Sequence, residues 1–138
     1  SHMPDAVPDN VSVIGHFCPA SEIARLLASA DALLHAGDQE TFGLVILEAM
    51  ASGIPVIAVA AGAFSEIVPE ACGLLCEPNN PLSMASAVRE LFSHNSVQKG
   101  YQARQHVEQR YAWDTVVEGL LEHYQAVLGS RLPVLAHG

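Results

Sequence analysis

The run from Leu44 to Ser52 is rich in helix formers, carries Glu48 as its only charge, and passes directly into Gly53-Ile54-Pro55. Gly53 is a natural C-terminal cap and Pro55 bars any continuation, so a helix must end here. Counting back, its start falls near Thr41 to Gly43. The helix is apolar nearly all round, which implies burial on several sides. Ile54 to Val59 follows as an almost continuous apolar run, the character of a parallel strand covered on both faces. A buried helix that turns straight into a buried strand leaves few architectures open. It predicts a layered α/β domain with a parallel sheet.

The same stretch carries the best candidate chemistry. Glu40 and Glu48 bracket an apolar segment in an E-x7-E spacing, with Gly43 between them where a loop becomes a helix. Glu40 then lies in the loop, and Glu48 sits about one turn inside the helix with its side chain leaning toward the N-terminus. Both carboxylates can face one pocket. The free N–H groups of the first turn lie between them and suit a phosphate. A carboxylate buried on such a helix needs polar partners, so Glu48 is expected to accept hydrogen bonds. The plainer alternative is that Glu48 favours the helix dipole and Glu40 is a solvated loop acid.

Elsewhere the chain alternates strands with helices. Val11 to Ile14 reads as a buried strand ended by Gly15, followed by His16, Phe17 and Cys18 in a loop at its carboxyl end. A helix is predicted over Ser21 to Ser29, a strand over Ala32 to His35, and another strand over Gly73 to Cys76. Ala60 to Phe64 reads as a flexible loop of small residues. Glu77 to Pro81 is a sharp turn into a helix whose inward face is Leu82, Ala85, Val88, Leu91 and Phe92. Helices follow over Val97 to Gln109 and Thr115 to Leu128, the second opening on a Thr115-x-x-Glu118 capping box. Val116, Leu120, Tyr124 and Val127 are expected to point inward, with Trp113 as an anchor. Residues 1–3 read as the scar of a removed tag, 4–128 as one α/β domain and 129–138 as a flexible tail.

Composition narrows the function further. Half of the 138 residues are hydrophobic, enough for a real core. Acidic residues outnumber basic ones by 15 to 6, giving a net charge of -9, which argues against nucleic acid as a partner. No secretory signal or membrane-length apolar run is visible, so the expected location is cytoplasmic. The three cysteines have no zinc-like or C-x-x-C spacing and read as reduced structural thiols. There is no G-x-G-x-x-G, no hydrolase elbow and no helical zinc pair.

Ala30-Asp31, Glu40-Thr-Phe-Gly-Leu44 and Leu47-Glu-Ala-Met-Ala-Ser-Gly-Ile-Pro-Val-Ile-Ala58 together resemble the signature of retaining GT-B glycosyltransferases of family 4, in their C-terminal, nucleotide-sugar-binding domain. The resemblance runs from about Asn10 to Tyr124. It implies a Rossmann-like parallel sheet flanked by helices, here incomplete at its N-terminal side. It also implies that Glu40 meets hydroxyls of the transferred sugar and steadies charge at the reacting carbon. Glu48 would hold the ribose, and the amides of Phe42, Gly43 and Leu44 would contact diphosphate or sugar. His16 and Phe17 would lie near the nucleobase, unless they are a surface histidine and a packed aromatic. His35 replaces part of a Pro-Ser pair common in relatives and would neighbour the donor, or is simply satisfied at a strand end. Gly62 and Glu66 match part of a further family loop, with Glu66 equally a first-turn helix acid.

By the same resemblance no tightly held catalytic metal or other cofactor is expected, and the nucleotide-sugar is the substrate. No Lys or Arg lies near Glu40 to Glu48, and the family places its donor-phosphate cations upstream of this region. The acceptor would be bound by a missing N-terminal domain, which leaves room for a membrane or lipid acceptor. The fragment alone is expected to be inactive and to self-associate through its bare sheet edge or last helix. Gly43→Val is expected to abolish donor binding while leaving the helix folded. The competing class is a noncatalytic nucleotide-responsive or protein-interaction module of the same fold. A related epimerase or phosphorylase is a third.

Overall fold

The computed structural model describes residues 7–14, 19–38 and 42–131. In chain order the elements are α1 (Ala20–Ser29), β1 (Leu33–His35), α2 (Leu44–Ala51), β2 (Val56–Val59), α3 (Phe64–Ile67), β3 (Gly73–Cys76), α4 (Pro81–Ser93), α5 (Ser96–Arg110) and α6 (Trp113–Arg131). The sheet order is β1-β2-β3, and both pairings are parallel. Leu33 stands opposite Val56, and Val56 opposite Gly73. This is a Rossmann-like α/β arrangement.

The helix-to-strand junction forms as its residues dictate. Gly53 adopts φ +81, its N–H donates to the Met50 carbonyl at 3.0 Å, and the Ile54 N–H donates to the Ala49 carbonyl at 3.3 Å. These two bonds are a Schellman cap, and a glycine relieves the left-handed turn of any Cβ cost. β2 emerges from it buried at every position. Ile46, Ala49 and Met50 of α2 pack into the same core, with Ile57, Phe64 and Leu91. Each large side chain buried there contributes about 1.5–3 kcal/mol. α5 closes on this junction tightly: a Cβ added at Gly100 would stand 2.2 Å from the Gly53 carbonyl oxygen.

Several expectations fail for identifiable reasons. Val11 to Ile14 is not a strand; Val11, Val13 and Ile14 are exposed, and no described strand lies beside them to complete a ladder. The buried face of α4 is Ala87 and Leu91, with Met84 and Val88 partly covered, while Leu82 and Phe92 are exposed. The helix starts at the Asn80 cap, whose Oδ1 accepts from the Ser83 N–H, and packs on β3 and β2 through its Ala87 and Leu91 face. α6 starts at Trp113, so Thr115 lies within it and no capping box forms there. Trp113 is 83% exposed and does not anchor the helix. Val116, Leu120, Tyr124 and Val127 are likewise exposed. The helix also continues to Arg131, beyond the expected end at Leu128.

Candidate functional site

α2 opens on Gly43, which takes φ +73 and ψ +47. Its carbonyl accepts from the N–H groups of Ile46 at 3.0 Å and Leu47 at 3.4 Å. No side chain among the described residues caps the helix. The amides of Leu44 and Val45 therefore have no partner among the described residues. They are donors at the positive end of a helix dipole, the chemistry that holds an anion.

Glu48 lies one turn further along α2. It is exposed, contrary to the expectation of a buried, hydrogen-bonded carboxylate. Burial on α2 falls on Ile46, Leu47, Ala49 and Met50, which leaves position 48 on the open side of the helix. Glu48 borders two hollows. One, of about 370 Å³, lies against Ala20, Ala24 and Leu27 of α1. The other, of about 500 Å³, is walled by Phe42, Leu44, Leu47, Tyr111, Trp113 and Val116, with Glu48 as the one acidic group among the described residues that line it. An exposed carboxylate on the rim of a hollow is free to accept from a ligand's hydroxyls without a prior desolvation cost. Glu40, His16 and Phe17 lie outside the described residues.

His35 and Gly43 converge on Phe64, a residue outside the sequence-derived candidates. Phe64 was grouped with the small-residue loop, yet it is 1% exposed and is the first residue of α3. Its ring meets the His35 imidazole edge-on, with centroids 5.1 Å apart and planes at 75°. A Cβ built on Gly43 would lie 2.7 Å from the Phe64 Cε1 atom. Gly62, exposed at φ +54, sits two residues before Phe64. Within the sequence, the signal was one large aromatic closing a run of alanine and glycine.

This packing corrects the reading of Gly43. Its left-handed backbone and the ring beside it exclude a side chain even with no ligand present. Gly43→Val therefore strains the fold itself and cannot leave α2 undisturbed. Glu66 is exposed in the first turn of α3, the plainer of its two readings.

A third hollow, of about 430 Å³, lies at the carboxyl ends of the strands, between Ala36, Val59, Glu77, Asn79, Asn80 and Met84. Its rim is locked by hydrogen bonds. The Asn80 amide Nδ2 donates to Glu77 Oε2 at 2.7 Å, Asn80 Oδ1 accepts from the Ser83 N–H at 3.0 Å, and Ser83 Oγ accepts from the Glu77 N–H at 3.0 Å. Away from these hollows, burial raises the pKa of Cys72 and of Cys76, so both thiols stay protonated near neutral pH. Cys76 Sγ donates to the Ala58 carbonyl at 3.4 Å. Among the described residues no helix is long and apolar enough to cross a membrane.

Comparison with known proteins places the chain. Residues 6–110 match the profile of the family described as glycosyl transferases group 1. A GDP-mannose-dependent alpha-mannosyltransferase of Mycolicibacterium smegmatis is 40% identical over 111 residues, which cover 79% of this chain and 29% of that protein. Among solved structures, Anabaena Alr3699/HepE in complex with UDP-glucose superimposes with a TM-score of 0.68 at 28% identity, over 76% of this chain and 30% of that one. The C-terminal domain of a glycosyl transferase group 1 family protein (LpcC) from Francisella tularensis superimposes with a TM-score of 0.64 at 33% identity, over 71% of this chain and 52% of that one. The chain spans about three tenths of the length of the curated relatives it matches. With its parallel sheet and these matches along most of its length, the chain belongs to the glycosyl transferases group 1 family, as part of a GT-B second domain.

Proposed function

We propose that this chain is the donor-binding part of a retaining glycosyltransferase that moves a hexose from a nucleotide-sugar to an acceptor. The observation that carries the reading is the head of α2, where the Leu44 and Val45 amides have no partner among the described residues and Glu48 stands exposed one turn away. Amides at a helix start stabilise a leaving diphosphate, and a carboxylate accepts from the vicinal hydroxyls of a ribose. In this reading Glu40 steadies positive charge at the reacting sugar carbon, Glu48 holds the ribose, and the backbone of Phe42, Gly43 and Leu44 meets diphosphate or sugar. His16, Phe17, His35 and Gly62 are neighbours of base or sugar. The relatives' names include both a GDP-mannose user and a protein solved with UDP-glucose, so the donor base and sugar are open to a direct screen.

The acceptor belongs to a further domain, and the 138 residues alone are expected to show no sugar transfer. We also infer that the isolated chain self-associates. β1 is an outer strand of the described sheet, and the apolar stripe of α6 is exposed. A strict monomer in sedimentation velocity at high concentration would remove that part of the reading.

The glutamates supply the test in the intact enzyme. Glu40→Gln keeps shape but not charge, so kcat should fall by about 10²-fold with little change in nucleotide affinity. Glu48→Ala should instead weaken nucleotide binding by about tenfold or more. Wild-type turnover and affinity in both variants would overturn the assignment.

A further inference from the structure

Phe64 stands where two segments distant in sequence meet. Its ring packs edge-on with that of His35, at the end of β1. Its Cε1 and Cδ1 atoms also face Gly43, where an added Cβ would lie 2.7 Å from Cε1, 3.3 Å from Cδ1 and 3.6 Å from Ile46 Cδ1. The backbone at Gly43 is thus confined twice, by its own left-handed conformation and by the ring packed against its Cα. The Gly43 carbonyl accepts the first hydrogen bonds of α2. Whatever holds Gly43 therefore also fixes where the helix begins and where the Leu44 and Val45 amides point.

We propose that Phe64 is the positioning residue of the α2 N-terminus, bracing Gly43 in its left-handed turn, with His35 packed edge-on against the ring. The proposal rests on the donor-binding reading of those amides. Phe64 itself touches no substrate in it; it acts through Gly43. Its leverage is geometric, since displacing a preorganised group by about 1 Å costs up to 10²-fold in the step it serves. His35 acquires a role by the same route. It tunes the site through the ring it supports.

The test is a titration of the ¹⁵N-labelled chain with UDP and with GDP, followed at individual amides, a readout that registers millimolar binding. In the wild type the shifts should concentrate at Leu44 and Val45, and Gly43 Hα should carry a ring-current displacement from Phe64. Phe64→Leu keeps an apolar core side chain but withdraws the ring edge. It should abolish that displacement and raise the nucleotide Kd at least tenfold, at a temperature where thermal denaturation shows the variant folded. Phe64→Met, whose longer side chain refills the space, should recover to within about threefold of the wild-type Kd. A purely structural Phe64 would lower Tm and leave Kd unchanged. Wild-type Kd in folded Phe64→Leu, with Glu48→Ala still weakening binding, would overturn the positioning role alone. No shifts at Leu44 and Val45 in the wild type with either nucleotide would instead overturn the donor reading, and the proposal with it.

Discussion

α2 and α6 are both rich in apolar residues, yet they end in opposite circumstances. α2 buries Ile46, Leu47, Ala49 and Met50 in the core it shares with α5, α1 and the sheet, while the stripe of α6 from Trp113 through Val116, Leu120 and Tyr124 to Val127 is exposed. The difference does not lie in composition. α2 is tied at its C-terminus by the Gly53 cap to the central strand of the sheet, so its position follows from that of β2. α6 follows α5 through a short connection and touches it, but most of its apolar face stays exposed. Periodicity reports that a face wants burial. It does not report whether the partner is in the same chain.

The widest gap between the two helices should appear in stability. Met50→Ala removes a fully buried side chain and should cost about 2–5 kcal/mol in denaturant unfolding. Leu120→Ser on α6 should change stability by no more than about 0.5 kcal/mol, because that side chain is half exposed already. It should also weaken self-association if the stripe mediates it. Comparable losses from both substitutions would mean that α6 is packed as firmly as α2 and that the contrast is false.

A smaller effect lies on α5, at the seam between the two regions. His106 is held below its ordinary value of 6.5, first by burial and then by the positive charge of Arg110. Its Nε2 atom is buried without a hydrogen-bond partner among the described residues. A histidine whose folded pKa is depressed binds its proton more readily in the unfolded chain, so it penalises the fold as pH falls below about 6.5 and stops adding to the penalty below the folded pKa. Denaturant midpoints should therefore decline modestly over that window. His106→Gln should flatten the decline, and an unchanged slope would assign the pH dependence to other groups.

What was legible in the sequence was local. β3 falls on the predicted residues, and β2 lies inside its predicted span, because apolar runs bounded by Gly53, Pro55 and the Glu77–Pro81 turn carry their own boundaries. The stop of α2 was equally legible from glycine and proline. What was not legible depends on contacts between distant residues. Val11 to Ile14 has the composition of a strand, but a strand exists only beside another. The exposure of Glu48 depends on which sides of α2 meet β2 and α5. The strand-end hollow is assembled from the ends of β1, β2 and β3 together with α4, and its rim from side-chain bonds that no spacing rule announced. Phe64 matters to Gly43 only because α3 folds back over the head of α2, which a residue-by-residue reading treats as a loop.

The central claim is that the head of α2, and not the hollow at the strand ends, receives the nucleotide-sugar. Crystals of the protein grown with UDP-glucose or GDP-mannose test it most directly. The account predicts diphosphate or sugar oxygens within about 3 Å of the Leu44 and Val45 amide nitrogens, with the Glu48 carboxylate on the ribose hydroxyls. A nucleotide seated beside Glu77 and Asn80, with the head of α2 left empty, would contradict it.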